Sequence, residues 1–277
     1  MKGENRTIEQ LREHYEIERE LADRLRNASQ LERRHLYSLV YDELFRRVPD
    51  HPQLTRKSSR EETTVAVSIQ MKFIKPFLGK ESTFLEVGAG DCALSFEVAR
   101  FVKQVYAVDV SDELTKSLTQ PQNFHLALSD GSTVPVPPNS LDVAYSNQLM
   151  EHLHSDDAFE QLQNIHRALI PGGVYICITP NRLSGPHDIS RYFDPVATGF
   201  HLKEYTTLEL SNLFRKVGFS QVRAYVGGKG TYIRFPAFPI FLCETLLAKL
   251  PYPLRRTIAL ILPFRLLLGS VRLVGKK

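Results

Sequence analysis

Residues 83–95 read Thr-Phe-Leu-Glu-Val-Gly-Ala-Gly-Asp-Cys-Ala-Leu-Ser, and this stretch decides the fold of the 277-residue chain. An apolar run that ends in two closely spaced glycines and then continues into helix-forming residues predicts a buried strand, a tight turn and a helix. Glycine lets the backbone approach a ligand, and the start of the helix offers free N–H groups. We therefore expect a nucleotide-like ligand at this turn.

The spacing of the turn fits two classes of cofactor. Gly88-x-Gly90-x-x-Ala93 satisfies the dinucleotide fingerprint and also an adenosyl-binding turn. A second apolar run, residues 105–108, ends in Asp109, which lies 21 positions after Gly88. An acid at the end of the second strand can bind ribose hydroxyls, but both classes of cofactor carry a ribose.

Further polar residues at strand ends favour the adenosyl ligand. Glu86 lies inside the first strand, where a dinucleotide enzyme usually has an apolar residue, and its carboxylate could accept a hydrogen bond from an ammonium group. A third predicted strand, residues 124–128, is followed by Asp130. A fourth begins at residue 142 and is followed by Ser-Asn-Gln at 146–148. The regular alternation of strands and helices predicts a parallel sheet with helices on both faces.

The chain resembles the class I S-adenosylmethionine (SAM)-dependent methyltransferases, in the branch called methyltransferase type 11, over about residues 65–225. An ordered series of motifs carries the resemblance: EVGAGDCALS, VYAVDV, LSDG, SLDVAYSNQLMEHLH and PGGVYICITPN. It implies an α/β fold with a Rossmann-like, seven-stranded sheet, closed by an antiparallel pair near 222–226 and 230–235. Cys92 stands where many members have a third glycine, and we expect altered packing there without loss of binding.

The resemblance also implies SAM as the cofactor and a set of residues that bind it. The glycine turn would hold the methionine part, Asp109 the ribose, and Asp130 would lie near the adenine amine. The full expected set is Glu86, Gly88, Ala89, Gly90, Asp109, Val110, Asp130, Gly131, Asn147 and Gln148.

The composition is typical of an ordinary soluble globular protein. Hydrophobic residues make up 43% of the chain and charged residues 24%, and the net charge is +4. Three widely spaced cysteines indicate a reducing compartment, and the first residues show no secretory signal pattern. We therefore expect a cytoplasmic protein, with peripheral contact at the inner membrane face as an addition.

The chain divides into three predicted segments. Residues 1–60 form a helical cap, because Thr7 and Ser29 each begin a capping-box pattern. Residues 61–235 form the SAM-dependent methyltransferase domain, and residues 236–277 form an apolar, basic extension. The cap either contributes to the substrate pocket or only shields the sheet.

The extension has an uneven charge. After Glu244 it contains no acid but seven bases: Lys249, Arg255, Arg256, Arg265, Arg272, Lys276 and Lys277. Prolines and arginines interrupt its apolar stretches, so none reaches the roughly 20 apolar residues that a spanning helix needs. The segment either lies on an anionic membrane or packs on the domain or on a second subunit, as in a homodimer.

The acceptor is expected to contact the long loop at 181–205, which follows the fifth strand and is rich in Gly, Pro, His and Asp. Methyl transfer to oxygen needs a base, and three histidines are candidates: His152, His187 and His201. His152 could equally be a structural histidine at a helix start. Further substrate contacts are expected from Asp188, Arg191 and Tyr192.

No metal is expected, because His152 and His154 would point to opposite sides, away from a shared ion with Glu151 or Asp156. No nucleic acid is expected either, since residues 146–149 lack the motif of many base amino-methyltransferases. We expect a small-molecule acceptor, methylated on oxygen, such as a sugar or lipid-linked glycan. A quinone or prenylated aromatic is the competing acceptor. An NAD(P)-dependent oxidoreductase and a non-catalytic SAM-fold partner protein are the alternatives of a different class.

Overall fold

A computed structural model describes residues 6–52, 60–111, 115 and 118–277. Eight strands of the described chain form one sheet: β1 (Thr83–Val87), β2 (Gln104–Asp109), β3 (Phe124–Leu128), β4 (Leu141–Asn147), β5 (Leu169–Thr179), β6 (Gln221–Gly228), β7 (Thr231–Phe235) and β8 (Val271–Lys276). Their order is β3-β2-β1-β4-β5-β8-β6-β7. The first five strands are parallel, and β8 is antiparallel to both β5 and β6. The α/β fold class predicted from the sequence is confirmed.

Helices connect these strands and cover both faces of the sheet. They are α1 (Ile8–Asn27), α2 (Gln30–Arg47), α3 (Arg60–Ile74), α4 (Ala93–Val98), α5 (Ser155–Ala168), α6 (Thr207–Val217), α7 (Ala237–Leu247), α8 (Tyr252–Leu260) and α9 (Phe264–Leu268). Short 3-10 turns lie at Met150–His152 and Ile189–Tyr192. Complete capping boxes begin α1, α2 and α6, so local sequence explains where these helices start.

The sheet has one strand more than expected, and that strand comes from the C-terminal extension. The predicted antiparallel pair is present as β6 and β7, but β8 lies between β5 and β6. Val271 and Leu273 of β8 are fully buried. The expected boundary after residue 235 therefore does not separate the extension from the sheet. Residues 236–270 are an insertion between β7 and an inner strand.

The two N-terminal helices share the main hydrophobic core. Leu21 of α1 and Leu44 of α2 belong to the same buried cluster as Leu85 of β1 and Leu162 of α5. Among the described residues, no helix is both long enough and apolar enough to cross a membrane.

A buried ion pair fixes α2 to α5. Arg33 donates two hydrogen bonds to the carboxylate of Asp157, at 2.6 and 3.0 Å, and Tyr37 donates a third at 2.6 Å. All three side chains are buried. This geometry holds the helical cap over the carboxyl ends of the strands.

Candidate functional site

The glycine turn after β1 has the backbone conformation that its sequence predicts. Gly88 has φ +73°, and a Cβ there would lie 3.0 Å from Leu149. Gly90 has φ +53°, and its missing Cβ faces open space. Cys92 also has a left-handed backbone, with φ +56°, which explains why glycine is usual at this position. The Cys92 side chain is fully buried.

Glu86 supplies a buried carboxylate beside the turn. The Ser95 hydroxyl donates to it at 2.6 Å, and burial raises the pKa of Glu86 to about 8. A cavity of about 400 Å³ lies against this carboxylate, and Gly88, Asp91 and Asn147 are among the residues that line it. A cationic ligand would stabilise the ionised form of Glu86, so the cavity suits the ammonium group of SAM.

Asp109 holds the turn from the end of β2. Its carboxylate accepts hydrogen bonds from the backbone N–H groups of Gly90 and Val110, each at 2.7 Å. The carboxylate remains partly exposed, and each oxygen keeps a lone pair for a ribose hydroxyl. The residue can therefore fix the turn and bind the ligand together.

Asp130 has structural partners of its own. It accepts hydrogen bonds from the backbone N–H groups of Ser132 and Thr133 at 3.1 and 2.8 Å, and Arg34 of α2 lies 3.5 Å away. Burial opposes ionisation, but these partners together lower the pKa of Asp130. The ring of Tyr37 would lie 2.7 Å from a Cβ at Gly131. Of the three remaining predicted residues, Ala89 and Asn147 line the 400 Å³ cavity, and Gln148 is exposed with φ +56°.

A second cavity, of about 260 Å³, contains all three predicted catalytic histidines and the predicted substrate residues. We call it the histidine cavity. It is lined by residues from the N-terminal helices, the turn after β4 and the long loop: Arg6, His14, Glu18, Tyr41, Leu44, His51, Pro52, His152, His187, Asp188, Ile189, Arg191, Tyr192, Phe200 and His201. Asn147 and His152 lie on either side of one short turn, so the two cavities meet the same edge of the sheet.

His201 has a carboxylate behind its ring. Its Nδ1 lies 2.7 Å from Oε1 of Glu204, and the same oxygen accepts the backbone N–H of His187. Burial disfavours the imidazolium, but the hydrogen bond to Glu204 and the charge of Glu151 outweigh it and raise the pKa of His201. Because Nδ1 binds Glu204, Nε2 is the atom left to exchange a proton.

His152 has a different environment. Its Nδ1 lies 3.1 Å from the carbonyl oxygen of Phe200 and 3.1 Å from the hydroxyl of Tyr41. Burial, together with the neighbouring His201, lowers the pKa of His152 to about 3. The ring is therefore neutral, with its proton assigned to Nδ1 because a carbonyl can only accept. This is close to the structural role that the sequence left open for His152.

The other predicted residues are held mainly by the loop itself. Nε2 of His187 lies 3.1 Å from both the Asn181 carbonyl oxygen and the Ser184 hydroxyl, and burial lowers the pKa of His187. Asp188 accepts backbone N–H groups of Ser190 and Gly199, each at 3.0 Å. Arg191 is exposed and lies over the ring of Tyr192.

Sequence reasoning missed four residues at the histidine cavity: His14, Glu18, Tyr41 and Glu204. His14 and Glu18 are both buried on α1 and lie 2.8 Å apart. Two polar residues at i and i+4 on the buried face of a helix are a detectable signal, because an unpaired polar group there would be costly. No such signal marks Glu204, because its pairing with His201 depends on the conformation of the loop that carries both residues.

Within the described part of the chain, two groups of side chains present metal-ligand atoms within 4.8 Å of one another. One is Glu151, His152 and His201, and the other is His14, Glu18 and His51. The sequence argument had considered His152 with His154. His154 instead lies at the N-cap of α5, where its Nδ1 accepts a hydrogen bond from the backbone N–H of Asp156. The histidine beside His152 is His201.

Comparison with known proteins agrees with this geometry. Residues 85–177 match the methyltransferase domain family. A probable SAM-dependent methyltransferase of Mycolicibacterium smegmatis is 30% identical over 137 residues, which are 49% of this chain and 51% of that protein. An uncharacterized methyltransferase of Geobacillus kaustophilus is 28% identical over 153 residues, 49% of this chain and 68% of that protein. This chain thus spans about half of the M. smegmatis relative.

Solved structures support the same fold. A SAM-dependent methyltransferase of Archaeoglobus fulgidus has a TM-score of 0.52 and 18% identity, with 87% of this chain and 100% of that chain covered. A putative methyltransferase of Haloferax volcanii, in complex with the Trm112 methyltransferase activator, has a TM-score of 0.54 and 15% identity, with 78% and 94% covered. The family match and the curated relatives support a class I SAM-dependent methyltransferase domain in this chain, and SAM is the cofactor of this class.

Proposed function

We propose that the protein transfers the methyl group of SAM to a hydroxyl oxygen of a small-molecule acceptor bound in the histidine cavity. The observation that carries this proposal is the His201–Glu204 pair. In this pair, the carboxylate of Glu204 supports the imidazole of His201 in the histidine cavity. That cavity lies at the same edge of the sheet as the glycine turn. SAM supplies a methyl group that is already activated by its sulfonium, so the protein contributes positioning and proton removal.

Each group in the site has a distinct task in this scheme. Glu86 would bind the ammonium group and Asp109 the ribose, which would fix the position of the methyl carbon. Nε2 of His201 would accept the hydroxyl proton as the carbon–oxygen bond forms and the carbon–sulfur bond of SAM breaks, which leaves S-adenosylhomocysteine. Glu204 would stabilise the resulting imidazolium. His152 is neutral and close to His201, so it orients the acceptor or the base.

The lining of the cavity favours a hydroxylated acceptor, such as a sugar or lipid-linked glycan. Most of the side chains that line it are polar, and they offer partners to several hydroxyl groups. A quinone or prenylated aromatic is the second candidate, because Tyr41, Phe200 and Tyr192 give the same cavity aromatic walls. The match to the methyltransferase family speaks against both the oxidoreductase and a SAM-fold protein without catalysis.

Several expectations stay proposals. They are a cytoplasmic location, peripheral membrane contact through residues 236–277, a homodimer, and no nucleic-acid partner. Residues 271–276 form an inner strand of the sheet, so only residues 236–270 remain available for the proposed membrane contact.

The proposal is tested by methyl transfer from radiolabelled SAM to a panel of sugars, glycolipids and quinols, together with four variants. His201→Asn should abolish turnover on the accepted substrate while SAM affinity, measured by calorimetry, stays unchanged. Glu204→Gln should lower turnover and move the acidic limb of the pH–rate profile to lower pH, because the carboxylate raises the pKa of His201.

His152→Asn and His187→Asn are the matched controls. Both line the same cavity, but neither ring is paired with a carboxylate. They should mainly raise the Michaelis constant of the acceptor. If the His201→Asn variant keeps full turnover and the His152→Asn variant is inactive, the base is His152 and not His201.

A further inference from the structure

The inserted segment, residues 236–270, has an apolar outer surface that the rest of the protein leaves uncovered. Phe238, Leu242 and Leu246 are 73%, 50% and 56% exposed. They follow one another at intervals of four residues, so they form a stripe along one face of α7. We call them the α7 stripe. The opposite face of α7 carries Ile240 and Leu247, which are buried.

The neighbouring helices also expose large apolar side chains. α9 contacts both α7 and α8. The three helices share a small core built around Leu247, Ala259 and Leu268. Outside that core, further large apolar side chains are exposed on the same unit: Leu254, Leu260, Ile261, Leu262 and Leu266. Single exposed leucines are common, but eight exposed large apolar side chains on one unit of three short helices mark an interaction surface.

All accessible charge on the inserted segment is positive. Its acid, Glu244, is buried and accepts hydrogen bonds from Asn181 and from the first N–H groups of α6. Its bases are Lys249, Arg255, Arg256 and Arg265, and none of them forms an ion pair with a residue that the structure describes. Arg255 and Arg256 lie against the ring of Tyr252.

We propose that the inserted segment docks the protein on an anionic lipid bilayer, with the α7 stripe in the acyl boundary and the four bases at the headgroups. The exposed apolar side chains match the acyl boundary, and the cations that flank them match the anionic headgroups. A second copy of the chain fits less well, because a two-fold interface would bring the same cations together. Nucleic acid fits less well, because the exposed side chains are mainly leucine and isoleucine rather than stacking aromatics.

The docking surface is joined to the acceptor loop. Ser184 donates to the carbonyl of Leu268 at 2.8 Å and lies 3.1 Å from Nε2 of His187. Leu183, beside it, packs in the core of the inserted segment. The bilayer would therefore lie next to the loop that lines the histidine cavity. If the proposed methyl transfer is correct, this geometry favours an acceptor that is itself anchored in the membrane.

Docking is tested by flotation of the full chain with vesicles, a measurement that does not depend on methyl transfer. The protein should float with vesicles of equal parts phosphatidylcholine and phosphatidylglycerol, should bind pure phosphatidylcholine about tenfold less, and should be released by high salt. Replacing all three residues of the α7 stripe by Ser should reduce binding by about tenfold or more. The double variant Lys249→Glu with Arg265→Glu should also reduce binding, but only to the anionic vesicles.

Leu31→Ser with Leu39→Ser is the matched control, because both leucines are exposed on α2, away from the inserted segment. It should float like the unchanged protein. Equal binding of the stripe variant and the control would overturn the proposal. The proposal would also be overturned if the protein did not bind vesicles but formed a dimer that the stripe substitutions dissociate. Binding of nucleic acid through the same bases, in place of vesicles, would overturn it as well.

Discussion

Asp109 shows how one side chain can serve both the fold of the turn and its ligand. It binds the backbone of Gly90 and Val110 and keeps lone pairs for a ribose. Asp109→Ala should therefore weaken SAM binding by about 1–3 kcal/mol, because a charged acceptor for hydroxyl groups is lost. Isothermal calorimetry measures this loss directly.

Asp142→Ala is the control for that measurement. Asp142 also accepts a backbone N–H, that of Thr83, but it lies at the amino end of β4. This variant should bind SAM normally. If Asp109→Ala bound SAM equally well, Asp109 would be only a cap of the turn.

Glu86 should make the stability of the ligand-free protein depend on pH. Burial raises its pKa from 4.5 to about 8, so between these values the folded protein keeps a proton that the unfolded chain has released. The stabilisation is complete below pH 4.5 and is lost as the pH rises toward 8. Glu86→Gln cannot titrate. The free energy of unfolding of the wild type, relative to this variant, should fall across that window in urea titrations.

Glu97→Gln on the surface of α4 is the control for this effect, because Glu97 is only partly buried beside Arg100. Taking differences between proteins removes the contributions of other groups such as Glu151, whose pKa is also raised by burial. A constant difference between wild type and Glu86→Gln from pH 4.5 to 8 would contradict the prediction.

At the scale of elements, the helical cap depends on the contact between α2 and α5. Arg33→Met leaves Asp157 buried with Tyr37 as its remaining side-chain donor, and it should lower the free energy of unfolding by about 3–5 kcal/mol. Arg24→Met breaks a more exposed pair with Glu43 and should cost no more than about 1 kcal/mol. Urea unfolding compares the two variants. Equal losses would show that the buried pair does not anchor the cap.

The same contact matters for the site, because α1 and α2 complete the histidine cavity. Tyr41 of α2 contacts both His152 and Phe200, and Glu18 of α1 accepts the backbone N–H of Phe200. If the histidine cavity binds the acceptor, as proposed, the cap contributes to the substrate pocket and does not only shield the sheet.

At the scale of the whole molecule, the C-terminal residues should be indispensable. β8 pairs on both sides, with β5 and β6, and its Leu273 is fully buried. A chain that ends at residue 235 loses this inner strand and exposes two strand edges, so we expect it to be insoluble. Soluble expression and a thermal melt measure the outcome. A soluble, cooperatively melting truncation would show that the sheet closes without β8.

The sequence by itself determined the features that are local. The strand–glycine turn–helix, the acid Asp109 and the capping boxes each depend on a few neighbouring residues, and their residue types follow directly from backbone conformation. With the alternation of strands and helices they were enough to predict the α/β fold, whereas the class of domain and its cofactor were predicted from the resemblance of the whole motif series to a known family. The length and composition of the loop 181–205 are unusual for a connector, and the acceptor site expected there stays a prediction.

Tertiary structure alone decided which distant residues meet. No strand was predicted at residues 271–276, and their place between β5 and β6 could not be read from the chain. Likewise, no local pattern joins Tyr41 to His152, or Glu18 to Phe200, because these contacts depend on how the loop and the cap pack over the strand ends. Periodicity records which face of an element is buried, whereas the partner that buries it is chosen by the packing of the whole molecule.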